Sequence, residues 1–338
     1  MKNKKLFLIT SAISILSLLT VFHAASALTL TPIRLTLSGD PGQTVTAEVT
    51  LINEKDTSET FYTSFANFEA QGETGTPTFK EGTEGLASWI TASKSVFLPP
   101  GVSKKVELQI AIPQNTAPGG YFAAAFWGAT PSEKTTQEVA IGTKIGTLIL
   151  LRVNGAVKEE AQILAFDTLN GQHFFTALPV GMFYRFQNGG GDRALPKGDV
   201  IMRNFFGIKA DSVNANVVAG NVLPGQIRRF EVVWSKQNQN LEVKAPSGFF
   251  NQVKYEWHNF ALGRFSANLD IAYGASNNIA LKAKTAFWVI PWQLLIIILI
   301  VAFLVFLVLK VLIKSYNSFI IKKAKESSQR MSAGKSGN

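Results

Sequence analysis

From Phe287 to Leu309 the chain runs 23 residues without a charge, with Leu294-Leu295-Ile296-Ile297-Ile298-Leu299-Ile300-Val301 at its centre. At about 1.5 Å per residue a helix of that length reaches about 35 Å, enough to cross a hydrocarbon layer of about 30 Å with some tilt. Trp288 and Trp292 stand at its start, where interfacial aromatics belong. Lys310 and Lys314 follow its end. The positive-inside rule puts that basic side in the cytoplasm. The sequence therefore predicts a single-pass protein of the cell membrane, with residues 287–309 as the transmembrane helix and its N-terminal domains outside. Residues 310–338 form a basic cytoplasmic tail.

The other end carries a second topology signal. Residues 1–27 have a Lys-rich start, an apolar stretch from Leu6 to Phe22 and a small-residue exit, Ala24-Ala25-Ser26-Ala27. This is the pattern of a secretory signal peptide, with the mature chain starting near Leu28. The two ends also explain the charge. Of a formal +10, Lys2, Lys4 and Lys5 supply three, and the tail supplies seven basic residues against Glu326. Residues 28–309 hold 23 basic and 22 acidic residues, so the exported body is nearly neutral. A nucleic-acid-binding protein carries its basic face on the folded domain, and this chain does not.

The roughly 260 exported residues suggest two domains. Alternating, β-branched segments predict strands at Thr44–Ile52, Val106–Ile112, Gly146–Val153 and Phe230–Trp234. Tyr121–Trp127 reads as a central strand with Phe122, Ala124 and Phe126 on one face. Asn170-Gly171, between two such runs, predicts a type I′ hairpin. Pro41-Gly42-Gln43 and Pro224-Gly225-Gln226 each precede a strand, and Pro100-Gly101 leads into a third. Proline presets one turn angle and glycine accepts a positive φ at the next position. The expected architecture is all-β: two tandem immunoglobulin-like antiparallel sandwiches, residues 28–156 and 157–286, followed by one C-terminal transmembrane α-helix.

Several of these residues resemble the WxL-interacting surface proteins of Gram-positive bacteria. They are Leu30-Thr31-Pro32-Ile33, Gly39-Asp40-Pro41-Gly42-Gln43, Val49–Asn53, Trp89-Ile90, Leu98-Pro99-Pro100-Gly101, Pro113 and Pro118-Gly119-Gly120-Tyr121. The resemblance implies a peptidoglycan-binding first domain and a second domain that binds a host factor. Specific motifs are confined to residues 28–155.

Nothing in the sequence has the pattern of a catalytic, metal or cofactor site. There is no cysteine; His173 and His258 are far apart, and no HExxH, GxSxG or P-loop is present. Asn188-Gly189-Gly190-Gly191-Asp192 lacks the strand-to-helix setting of a phosphate loop and reads as a flexible turn. Asp192 and Asp199 fall far short of the six to eight oxygens that calcium takes. Binding surfaces remain. Phe249, Phe250, Tyr255 and Trp257, after the loop residues Ser247-Gly248, form the candidate surface, with Tyr255 and Trp257 expected on one strand face. Trp288, Trp292, Lys310 and Lys314 are the expected membrane-anchor residues. The function expected is non-catalytic surface binding, adhesion or scaffolding, with cell-wall peptidoglycan or another surface protein as partner. The alternative is an assembly factor or chaperone-like protein that takes partner strands at an open sheet edge.

Overall fold

The computed structural model describes residues 28–80, 84–130, 144–236 and 246–335, with side chains as far as residue 323. The expected signal peptide lies outside the described residues. The chain divides into two compact units. Unit 1 comprises Met1–Gln162 with Gln187–Ala194 and Asn221–Arg228; unit 2 comprises Ile163–Phe186, Leu195–Gly220 and Arg229–Asn338. The fold is all-β with one long C-terminal apolar helix.

Unit 1 is a two-sheet sandwich built from β1 (Leu28–Thr31), β2 (Arg34–Gly39), β3 (Thr44–Asn53), β4 (Glu59–Gln71) and β5 (Thr76–Lys80), then a short helix α1 (Leu86–Trp89). After it come β6 (Ile90–Thr91), β7 (Ser95–Leu98), β8 (Ser103–Ala111), β9 (Gly119–Gly128) and β10 (Lys144–Val153). One sheet runs β1-β3-β8-β6. The other runs β2-β10-β9-β4-β5, with β7 also on β4. β1 and β2 are one run of chain that changes sheet at Pro32, which has no N–H to continue the first ladder. β1 pairs antiparallel with β3, whereas β2 pairs parallel with β10.

The expected strands appear where the alternation put them, and the reason is burial of alternate residues. Val49 and Leu51 from β3, Leu108 and Ile110 from β8, and Ile149 and Leu151 from β10 are fully excluded from solvent. β9 is central, as expected, and Phe122, Ala124 and Phe126 do share a face. That face is the outer one, where Phe122 and Phe126 meet Phe68 and Phe79. The core face carries Ala123, Ala125 and the fully buried Trp127 instead. Small residues there leave room for the indole and for the side chains of the facing sheet.

Each of the three Pro-Gly turns closes with a hydrogen bond from the residue after glycine: Gln43 to Asp40, Val102 to Pro99 and Gln226 to Leu223. Gly42, Gly101 and Gly225 have φ of 82°, 67° and 71°, the left-handed region that excludes most side chains.

Unit 2 is built mainly from β11 (Ala161–Thr168), β12 (Phe174–Phe175), β13 (Val180–Asn188), β14 (Lys197–Arg203), β15 (Lys209–Asn214) and β16 (Ile227–Trp234). They are followed by α2 (Phe249–His258), β17 (Gly263–Tyr273), β18 (Ile279–Val289) and α3 (Trp292–Lys335). The sheets run β11-β13-β16 and β12-β18-β17-β14-β15. The core is aromatic. Tyr184 stacks on Phe230 at 4.9 Å, and Phe287 meets Phe175, Trp234 and Phe265 at ring distances of 5.7, 6.0 and 6.3 Å.

Three sequence expectations change here. Asn170 and Gly171 do turn with positive φ, and the Gln172 N–H reaches the Leu169 carbonyl. No hairpin follows, because β12 joins β18 in the other sheet while β11 joins β13. Residues 249–257 form a helix rather than a strand. Finally, Phe287, Trp288 and Val289 close β18 rather than opening the membrane segment, and the helix starts at Trp292 after Pro291. Their alternation of buried Phe287 and Val289 around the more exposed Trp288 marks a strand. From Trp292 to Lys323, α3 is long and apolar enough to cross a membrane by length and composition, and its apolar length is not packed inside the protein.

Candidate functional site

Among the described residues, no strand pairs with the side of β2 that faces away from β10. The geometry of β2 follows from two hydrogen bonds: the Leu148 N–H donates to the Ile33 carbonyl, and the Asn154 N–H donates to the Gly39 carbonyl. Backbone groups of alternate residues point to opposite sides of a strand, so the odd-numbered residues face β10. Thr36 and Ser38 therefore direct their N–H and C=O groups away from the sheet, along its free edge. β10 itself extends four residues, Lys144–Thr147, before β2 joins it at Leu148. Sheet edges are ordinarily blunted by brevity, proline or lysine. In unit 1, β6 has two residues, β1 has four, and β5 carries Pro77 and Lys80. β2 has six residues, Arg34 at its start and no proline.

Over the outer face of the same sheet lies a charge cluster. Arg152 on β10 donates from Nη1 to Asp192 Oδ2 at 2.8 Å, with the Asp192 side chain only 9% exposed. Arg193 Nη1 stands 3.7 Å from Asp192 Oδ1 and makes no hydrogen bond. Burial pulls the Arg193 guanidinium below its ordinary value; Asp192 opposes that, while Arg152 and Arg34 add to it. The loop that presents Asp192 is held in place. Gly189 and Gly191 donate to Glu160 and Lys158, Gly120 donates to Gly191, and buried Asn188 donates from Nδ2 to Asp192 and Val222 carbonyls. The glycine run expected to be a flexible turn is thus a clamped loop, and Asp192 serves an ion pair. An arginine inside the apolar run Leu150-Leu151-Arg152-Val153 was the available signal for it.

In unit 2 the four candidate residues separate by helix face. Phe250 and Trp257, seven residues apart on α2, lie on its outer face at 78% and 66% exposure, with Lys254 between them. Phe249 packs edge-on to Phe250 and is partly covered. Tyr255 turns inward: its hydroxyl donates to the Leu178 carbonyl at 2.9 Å, and burial raises its pKa. Glu256, on the inner face, is fully buried and accepts the Leu294 N–H at 2.8 Å through Oε2. Leu294 sits in the first turn of α3, where backbone N–H groups lack helical partners. Glu256 therefore caps α3 from a neighbouring helix. Burial raises its carboxyl above the ordinary 4.5, against the lowering effect of the Leu294 and Gln293 N–H groups. Its other oxygen, Oε1, is buried without a hydrogen bond, which disfavours ionisation.

Trp288 and Trp292 flank the start of α3 and are partly exposed, while Lys310 and Lys314 are exposed along it. His173 Nδ1 contacts the Ala286 carbonyl and His258 Nδ1 the Lys254 carbonyl. Among the described residues no three metal-ligating side chains cluster. The sequence reading missed the turn Asn204-Phe205-Phe206-Gly207-Ile208 between β14 and β15, where Phe205 and Phe206 are exposed. Adjacent aromatics beside a glycine, outside any alternation, were its signal.

No family model and no curated protein matches this sequence. Among solved structures, the class 5 fimbriae chaperone CfaA is similar over 77% of this chain and 99% of its own, at 13% identity and a TM-score of 0.39. The CupB2 chaperone of Pseudomonas aeruginosa covers 77% and 100% at 7% identity and a TM-score of 0.34. The E. coli chaperone DraB covers 78% and 98% at 8% identity and 0.32. Likeness at these scores carries no function across.

Proposed function

We propose that this chain is a membrane-anchored, non-catalytic binding protein that takes an extended segment of another exported polypeptide along β2, in the manner of an assembly factor. The observation that carries it is the unblunted edge of β2, with the backbone groups of Thr36 and Ser38 directed outward. Main-chain hydrogen bonds of an added strand supply affinity, and alternate side chains supply selectivity. In this reading α3 crosses the cell membrane, the β units stand outside, and the basic residues after the span stay in the cytoplasm.

The test uses the full chain in lipid nanodiscs and compares it with Thr36→Pro. The Thr36 N–H faces away from β10, so proline removes an edge donor without breaking the existing ladder. The expected result is at least about tenfold weaker capture of exported polypeptides, about 1.4 kcal/mol, with an unchanged melting temperature. Equal capture by both proteins sinks the edge reading. Retention on purified peptidoglycan that ignores Thr36→Pro supports instead the wall-binding role implied by the WxL-interacting resemblance.

A further inference from the structure

The exposed aromatic side chains of unit 2 are gathered at one end, and strand register shows which. β18 leads into α3, and its last residue, Val289, pairs with Gly263 at the start of β17. β14 runs antiparallel to β17, with Arg203 opposite Ser266. The chain turns directly after Arg203, with the Gly207 N–H donating to the Asn204 carbonyl, so Phe205 and Phe206 lie at the same end of the sheet as Gly263 and Val289. Phe174 pairs in register with Trp288. α2 is tied to the same end by the Glu256 bond to Leu294 and by the Leu178 N–H donating to the Asn259 carbonyl.

Outside α3, the described aromatic residues of unit 2 that are more than half exposed are Phe174, Phe205, Phe206, Phe250 and Trp257, and all belong to this end. Phe206 reaches 81% exposure. At the other end of the β17–β18 pair the turn is Gly274-Ala275-Ser276-Asn277-Asn278, and exposed Val217 and Val218 are aliphatic. Exposed basic residues flank the aromatics: Arg203, Lys209, Lys254 and Arg264. Aromatic and apolar groups interleaved with lysine and arginine are the composition of surfaces that sit in the headgroup–acyl boundary of a bilayer.

We infer that this end of unit 2 is seated in the outer-leaflet phospholipid interface, with the β14–β15 tip and the outer face of α2 inserted beside α3. The inference rests on the proposed membrane crossing by α3 and adds a second, peripheral contact to it. Continuity with α3 identifies lipid as the occupant, because the same end that carries the aromatics delivers the chain to the membrane. The basic residues Arg203, Lys209, Lys254 and Arg264 would face the lipid phosphate groups. Glu256, buried between α2 and α3, fixes the inserted helix to the spanning one.

The chain has no cysteine, so single-cysteine labelling is unambiguous. Full-length Phe206→Cys, Phe250→Cys, Ser276→Cys and Val305→Cys carry an environment-sensitive fluorophore in phosphatidylcholine–phosphatidylglycerol vesicles. Quencher lipids hold a nitroxide either near the headgroup or deep in the acyl chains. All four side chains lie at the surface, so labelling leaves the core intact. The expected result is deep quenching at Val305→Cys, about twofold loss from the shallow quencher at Phe206→Cys and Phe250→Cys, and none at Ser276→Cys. Water-like, unquenched emission at Phe206→Cys and Phe250→Cys, with Val305→Cys still quenched, overturns the interfacial seat and spares the span. Absence of quenching at Val305→Cys overturns the span and the seat together.

Discussion

The β2 edge of unit 1 and the α3 end of unit 2 are both unfinished surfaces, and they are unfinished in different currencies of interaction. Along β2 the outward groups of Thr36 and Ser38, which no strand among the described residues pairs, are main-chain donors and acceptors, directional and well solvated by water. At the α3 end they are aromatic rings, which water solvates poorly and which accept any apolar partner. The first kind of surface selects a partner by geometry, the second by phase. The proposed function assigns the first to an extended polypeptide and the second to a lipid interface.

Substitutions that separate core from surface test this contrast, and the largest effect belongs to the aromatic core of unit 2. Phe287→Ala is expected to cost about 3–5 kcal/mol in chemical unfolding, because its ring contacts with Phe175, Trp234 and Phe265 leave a cavity when lost. A loss under about 1 kcal/mol would mean that Phe287 and the end of β18 do not belong to the core of unit 2. Next comes Asp192→Ala, expected to cost about 3 kcal/mol by leaving Arg152 and Arg193 without their shared carboxylate. Asp192→Asn, which keeps the size and removes the charge, locates that cost in electrostatics if it is nearly as damaging.

A smaller effect is expected at Glu256, and it depends on pH. Its folded-state pKa is raised by burial above 4.5, so the folded chain holds the proton more tightly than the unfolded one. Its contribution is complete below the unfolded value and declines as pH rises through the folded value. Melting curves across that range should lose part of their downward slope with pH in Glu256→Gln, which can still accept the Leu294 N–H. An unaltered slope removes Glu256 as its source. Least of all, Phe250→Ala is expected to stay within about 0.5 kcal/mol of the parent protein, since its ring is exposed. If it instead destabilises like Phe287→Ala, the α2 face is core and the two-surface comparison fails.

Alternation made the strands legible because the physics that forms them is local: Val49 and Leu51, or Ile149 and Leu151, need only one buried face. The Pro-Gly turns were legible for the same reason. Non-local partnership was not. Asn170-Gly171 turns as its residues dictate, yet the strand after it pairs with β18, over a hundred residues away. α2 was misread because Phe249, Phe250, Tyr255 and Trp257 favour strands and because its exposed face is the aromatic one, the reverse of a soluble amphipathic helix. The long apolar helix was legible as a composition, but its start was not. Phe287 belongs to the core of unit 2, so a soluble fragment has to extend through Val289.

The β18–α3 junction also sets how the protein bears load. Only Ile290 and Pro291 separate the last strand from the helix, and β18 lies in an eleven-residue strand matched residue for residue with β17. Pull on α3 along its axis would therefore reach unit 2 first at Val289, the residue paired with Gly263 at the start of β17. Because β17 and β18 are antiparallel, Val289 and Gly263 lie at the same end of the ladder, and load between them would open the pairs in sequence from that end toward Tyr273 and Ile279. A junction loaded in that way yields early and stepwise, beginning where Phe287 and Val289 are buried.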